Sequence, residues 1–297
     1  MYLSDGIIIT PIDVYKTRRR INRKKILKKA GVYLFLCIIS FIYITPFFWI
    51  LSTSLKSETE IMRVPPTFVP QEWHFENYRL AWQRGSGNLG LFTKNTIIVV
   101  GIIMIGQIFF CSLAGYAFAR IKFPARDFLF FLYLATLMIP ESVTLIPRFA
   151  IIIKMGWIDT YTALIMPYFL GNALGTFLMR QFFFTIPIEI EDAARIDGAS
   201  SFCIFWKVML PLIKPALATL VAITLVVNWN NFLWPLVVIN RESMKVLSVG
   251  MTTFRLQQTV QWNLLNAGVI ISLVPILIIF FFAQKFFIRG ITFTGLK

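Results

Sequence analysis

The chain has 297 residues, of which 57% are hydrophobic, 16% aromatic and 14% charged, and its mean hydropathy is +0.72. This balance excludes a soluble globular domain and defines an integral membrane protein. The formal net charge of +15 does not mark a nucleic-acid surface, because Lys and Arg lie in short segments between apolar runs, where they orient a chain in a bilayer.

A hydrocarbon core of about 30 Å takes about 20 apolar residues per helix, and six runs meet or approach that length. Residues 1–30 form a basic N-terminal segment carrying Lys16, Arg18, Arg19, Arg20, Arg23, Lys24, Lys25, Lys28 and Lys29. The apolar run 32–51 behind it exceeds a signal-peptide core, and no small-x-small cleavage site follows. An uncleaved first span with a cytoplasmic N-terminus is expected. Residues 53–92 read as an external loop with Pro65, Pro66 and Pro70 and one or two turns of interfacial helix over 76–82. Spans two and three are expected at 96–117 and 128–147, with Arg120, Lys122 and Arg126 in the inner turn between them. Span four follows at 161–179 with Arg180 at its inner end, span five at 216–238, and span six at 264–282 after an external loop. The C-terminus then returns to the cytoplasm, so residues 31–297 form one all-α, polytopic domain of six transmembrane helices. The cysteines Cys37, Cys111 and Cys203 lie far apart, and the single histidine, His74, has no clustered ligands. Neither a disulfide framework nor a metal site is expected.

Between spans four and five, residues 187–215 form a patterned polar segment. Pro187 suits a first helical turn, Glu189, Glu191 and Asp192 suit the positive end of the helix dipole, and Gly198 suits the position past a helix end. Ile190, Ala193 and Ala194 at i, i+3, i+4 give this short helix a narrow face of small side chains. Ser200 or Ser201 can cap a second helix, in which Phe202, Phe205, Trp206 and Met209 repeat as an interfacial stripe until Pro211 and Pro215 end it. From the residues alone, this is an interfacial helix pair joining two spans.

The order Asp192-Ala193-Ala194, three residues, Gly198, nine residues, Val208-x-Leu210-Pro211 resembles the cytoplasmic EAA loop of ABC importer permeases, patterned Glu-Ala-Ala-x3-Gly-x9-Ile-x-Leu-Pro. Asp192 for Glu and Val208 for Ile are the departures. Further runs are similar to the carbohydrate-uptake branch, specifically the smaller permease of maltose-type systems: residues 46–56, Glu76-Asn77-Tyr78, Tyr116-Ala117-Phe118-Ala119-Arg120, Ile139-Pro140 with Ile146-Pro147, Trp229-Asn230-Asn231-Phe232, and the tail 290–297. Asn266 departs from that pattern.

The resemblance implies a type I ABC importer permease fold in the cell membrane of a prokaryote. It implies a heterodimer with a second homologous permease, an ABC ATPase dimer that binds ATP and Mg, and an extracellular solute-binding protein delivering a sugar or oligosaccharide. Glu191, Asp192, Ala193, Ala194, Asp197, Gly198, Val208, Leu210 and Pro211 would then couple the chain to the ATPase, which would drive alternating access. The chain itself has no G-x-x-x-x-G-K-[ST] phosphate loop, so hydrolysis belongs to a partner and no cofactor is expected here.

Asn228, Trp229, Asn230, Asn231 and Trp234 interrupt the fifth apolar run. Amides can bond sugar hydroxyls and indoles can stack on sugar faces; the same residues also serve as glue between helices. Gln107 and Asn172 carry the same two readings. Arg255, Gln257, Gln258 and Gln261 stand where the resembled permeases reach into the binding protein, and also suit an ordinary solvated loop. Glu141 is the one acid near a span interior, which disfavours an ion-coupled secondary transporter. That class and an ABC permease for a non-sugar solute are the alternatives; no convergent catalytic set supports a membrane enzyme.

Overall fold

The computed structural model describes residues 23–83, 88–254 and 260–293, and no β-strand occurs among them. The chain falls into two compact units, Met1–Trp49 and Ile50–Lys297. Helix α1 (Arg23–Ser54) begins in the first and ends in the second. Residues Lys29–Ser54 are long and apolar enough to cross a membrane.

In the second unit, α2 (Glu76–Gln83) forms where a short interfacial helix was expected. Its buried Asn77 donates through Nδ2 to the carbonyls of Ser54 and Lys56, each at 2.9 Å. The Ser54 carbonyl is one that the end of α1 leaves unpaired, and that of Lys56 lies in the turn behind it. Helix α3 (Leu89–Arg120) starts on an Asn88 cap, whose Oδ1 accepts from Gly90 N at 2.9 Å.

Helix α3 is the spine of this unit. It supplies Val99 and Ile103 to one apolar cluster, Cys111, Tyr116 and Ala119 to a second, and Leu89, Phe92 and Val100 to a third. A helix apolar on every side can bury several faces at once. Around it lie α4 (Arg126–Ala135), α5 (Glu141–Lys154), α6 (Tyr161–Phe169), α7 (Ala173–Phe184), α8 (Ile188–Ile196), α9 (Ser201–Leu212), α10 (Lys214–Trp229), α11 (Leu233–Val238) and α12 (Trp262–Phe293).

Among the described residues, four stretches are long and apolar enough to span a membrane, and the number reaches 6 if each of two bent pairs is one span. The expected third span, 128–147, is one of these pairs. Helix α4 tightens into a 3₁₀ turn over Thr136–Met138, and α5 leaves at 98° behind Pro140. Proline cannot extend the hydrogen-bond ladder and holds its predecessor out of helical geometry. The expected fifth span, 216–238, is also interrupted: α10 stops at Trp229, and α11 resumes after residues 230–232. The second bent pair is α9 with α10, turning by 80°. Sliding hydropathy averages over such breaks, so the six runs were visible and their bends were not.

One polar clamp joins two connections. Asp159, in the turn before α6, has φ +59 and accepts at Oδ1 from Asn240 N at 2.5 Å and Arg241 N at 2.8 Å. The Arg241 amide is the main cause holding this carboxyl below its ordinary value of 3.8. A depressed carboxyl contributes stability above its unfolded value and loses it as pH falls through the folded one. The clamp is therefore intact at neutral pH and fails only below about pH 4. Limited proteolysis of the 239–246 connection should accelerate on acidification below that point. Asp159→Asn should show accelerated cleavage already at pH 7.

Candidate functional site

Helix α8 is nine residues long, begins behind Pro187 and carries Glu189 and Glu191 in its first turn. Its end is a Schellman closure. Ala199 N donates to Ala194 O and Gly198 N to Arg195 O, both at 3.0 Å, with Gly198 in the left-handed region at φ +81. Asp192, Ala193, Asp197 and Gly198 face solvent, and Ile196 is 86% exposed. Ala194 turns inward with Val208 and Leu210 onto an apolar cluster that includes Tyr116, Phe183 and Phe205, while Pro211 is exposed. The small-residue face read from the sequence is thus divided: Ala193 outward, Ala194 into the core.

Glu191 also differs from its expected setting. It is the one buried residue of α8, and its side chain is 0% exposed. Arg120, at the end of α3, places Nε 2.9 Å from Oε1, a contact held by charge rather than by an aligned hydrogen bond. Tyr116 donates its hydroxyl to Oε2 at 3.1 Å. The first-turn acids therefore part ways: Glu189 and Asp192 meet solvent, and Glu191 meets its own chain.

Helix α9 begins on Ser200, whose hydroxyl accepts from Cys203 N at 3.3 Å. Residues Ile204–Met209 then take π-helical geometry. Wider turns rotate side chains off the spacing of an α-helix, and the expected stripe splits. Phe205 and Met209 are buried; Phe202 and Trp206 are exposed.

A second polar set sits in the break between α6 and α7. Pro167 and the 170–172 interruption leave backbone groups without helical partners. Asn172 caps α7 by accepting from Gly175 N at 2.7 Å. Gln107, on α3, donates to Tyr168 O at 3.0 Å and accepts at Oε1 from Asn172 Nδ2 and Thr224 Oγ1, each at 2.8 Å. Gln107 is thus the bond between α3, the broken span and α10.

Beside it opens a cavity of about 450 Å³ whose polar lining is Gln107, Glu141, Tyr168, Asn172, Thr224 and Asn228. Glu141 starts α5 and accepts from Tyr168 Oη at 2.7 Å and Arg148 at 3.0 Å. The Arg148 guanidinium lies 5.0 Å from the Tyr168 ring and 4.5 Å from that of Trp234. The expected acid near a span interior is accordingly ion-paired.

Of the five residues in the 228–234 run, only Asn228 lines this cavity. Its Nδ2 donates to Thr224 O at 2.8 Å, and its Oδ1 is buried without a hydrogen-bond partner. Trp229 and Trp234 are core residues whose indoles donate to Ser272 Oγ and Ala163 O. They line a cavity of about 20 Å³, and their burial fits the reading as glue between helices. Asn231 donates to Tyr168 Oη at 3.0 Å, and Asn230 bonds back to Val226 O. Arg255, Gln257 and Gln258 lie outside the described residues; Gln261 is half-buried, with its N–H on Phe254 O. No cluster of His, Cys, Asp or Glu suited to a metal occurs among the described residues.

A helical membrane domain with interrupted spans, a polar cavity and an exposed capped helix between spans is the architecture of a solute permease. The family described as "Binding-protein-dependent transport system inner membrane component" matches residues 107–293, and the chain belongs to it. The chain is 36% identical over 261 residues to the arabinooligosaccharides transport system permease protein AraQ of Halalkalibacterium halodurans, covering 87% of this chain and 93% of that protein. It is 35% identical over 240 residues to the sn-glycerol-3-phosphate transport system permease protein UgpE of Yersinia enterocolitica, covering 79% and 85%. Its fold matches a chain of a bacterial ABC transporter involved in alginate import with a TM-score of 0.77 at 24% identity, over 90% of this chain and 98% of that one. The chain is a bacterial membrane permease of the ABC type.

Proposed function

We propose that this chain imports a neutral saccharide or oligosaccharide by ATP-driven alternating access, as one of two homologous permeases on an ATPase dimer supplied by an extracellular binding protein. The observation that carries the coupling is the exposed face of α8, formed by Asp192, Ala193, Ile196, Asp197 and Gly198 on a helix tied to its own spans. It is a rigid protrusion of small and acidic residues suited to a cleft in an ATPase. ATP and Mg belong to that partner. Asn228, Asn172, Gln107 and Thr224 are the proposed solute path, because neutral amides and a hydroxyl bond saccharide hydroxyls.

The relatives' names point to both oligosaccharides and a phosphorylated polyol. The cavity favours the former: its lining contains Glu141 and neither Lys nor Arg, whereas phosphate recognition draws on cations, and the α7 N-terminus at its wall already gives its Gly175 amide to Asn172. Cells carrying the transporter should take up radiolabelled neutral oligosaccharides from a panel of arabino-, malto- and xylo-series sugars. Excess glycerol 3-phosphate should leave that uptake unchanged. Uptake of glycerol 3-phosphate with no response to any neutral sugar would contradict the substrate class.

A further inference from the structure

Glu191 and Arg120 form a buried ion pair that the docking face does not use. Glu191 is fully buried, and Arg120's side chain is 8% exposed. The same guanidinium donates through one terminal nitrogen to Phe183 O at 2.6 Å and to Ile186 O. Those carbonyls lie at the end of α7 and in the connection to α8. The second carboxylate oxygen holds Tyr116 Oη at 3.1 Å and approaches Arg195 of the same helix at 3.8 Å. The Tyr116 ring packs in turn on Phe183 and Phe205, with centroids 5.4 and 5.3 Å away. One side chain of α8 thus gathers the ends of α3 and α7 and the start of α9.

We propose that the Arg120–Glu191 pair is a rigid relay: it stays closed through the transport cycle and makes α8 move as one body with α3 and α7. The inference rests on α8 being the ATPase-docking helix. Apart from this anchor and the small Ala194 side chain on the apolar cluster, α8 is joined to the spans by two short turns, and its remaining side chains are exposed. A force applied to the exposed face would rotate so short a helix in place unless something fixed it from within. Apolar packing would bury the position equally well but leave the helix free to slide. A buried carboxylate between two cations and a phenol has one geometry, and removing one partner strands the other charge. Arg120 and Glu191 are therefore positioning residues.

The test is the ratio of solute transported to ATP hydrolysed by the purified complex in proteoliposomes. That ratio is normalised to assembled protein, so a simple loss of folded complex does not move it. Glu191→Ala and Arg120→Ala should lower it at least tenfold, with hydrolysis no longer dependent on solute. If Glu191→Ala fails to assemble, Glu191→Gln should assemble with a several-fold lower ratio, because it keeps the shape and loses the charge. Arg120→Lys, which keeps the charge and a donor, should recover part of the coupling that Arg120→Ala loses. A wild-type ratio in Glu191→Gln, or in Arg120→Ala, would overturn the relay. Absence of any solute-dependent hydrolysis in the unmodified complex would instead overturn the reading of α8, so the two failures are separable.

Discussion

Gly198→Trp is expected to abolish solute uptake while the complex still assembles. Gly198 sits at φ +81, and a Cβ built there meets nothing of its own chain within 4 Å. The substitution therefore creates no clash at the Cβ. Its first effect is conformational, about 1–2 kcal/mol for forcing an L-residue into the left-handed region, enough to loosen the Schellman closure that ends α8. Its second effect is steric, since the indole projects from the exposed surface proposed to enter the ATPase. The two can be separated with Gly198→Asn, which tolerates a left-handed backbone and adds little bulk. Asparagine should retain most of the uptake, whereas tryptophan should leave less than about a tenth, a change of about 1.4 kcal/mol or more in coupling. Uptake by both, measured against the amount of co-purified partner, decides the point; full uptake by the tryptophan variant would contradict the docking assignment.

Gln107→Leu destabilises the permease itself. The side chain fits the space, but Tyr168 O, Asn172 Nδ2 and Thr224 Oγ1 lose their shared partner. A buried polar group left unsatisfied costs about 1–3 kcal/mol, and relaxation or water from the adjacent cavity offsets part of the sum. We expect a marked fall in the thermal unfolding midpoint of the detergent-solubilised protein, together with reduced uptake. Gln107→Glu should be milder, because as a neutral acid it donates its hydroxyl to Tyr168 O while its carbonyl oxygen keeps both acceptor bonds. Equal stability of the leucine variant and the parent would show that Gln107 is not the bond that closes the broken span.

The positions legible in advance were those whose chemistry is local. The Gly198 stop, the serine cap of α9, the short helix near 76–82 and the apolar runs follow from propensity, capping and hydropathy within a few residues. What could not be read were the consequences of distant pairing. Glu191 looks like Glu189 and Asp192, all acids in one first turn; only the fold brings Arg120 and Tyr116 of another helix to it. Arg120 was read through its charge as an inner-side residue, although most of its guanidinium bonding is to the chain itself. The tryptophans at 229 and 234 suited both a sugar path and glue between helices, and only the fold shows them buried. Phe202, Phe205, Trp206 and Met209 were assigned one face on an α-helical period, and the π-helical turn at Ile204–Met209 redistributed them. The bend behind Pro140 left a visible proline, but composition alone does not tell a kinked span from two helices at 98°.

The most direct test of the account is to purify this chain with its native partners, reconstitute the complex in proteoliposomes, and measure ATP hydrolysis with the binding protein free and loaded with saccharide. The account predicts that a second permease and an ATPase co-purify, that hydrolysis rises with the loaded binding protein, and that labelled sugar accumulates only with ATP. Recovery of this chain alone, accumulating solute on an ion gradient without ATP, would contradict it.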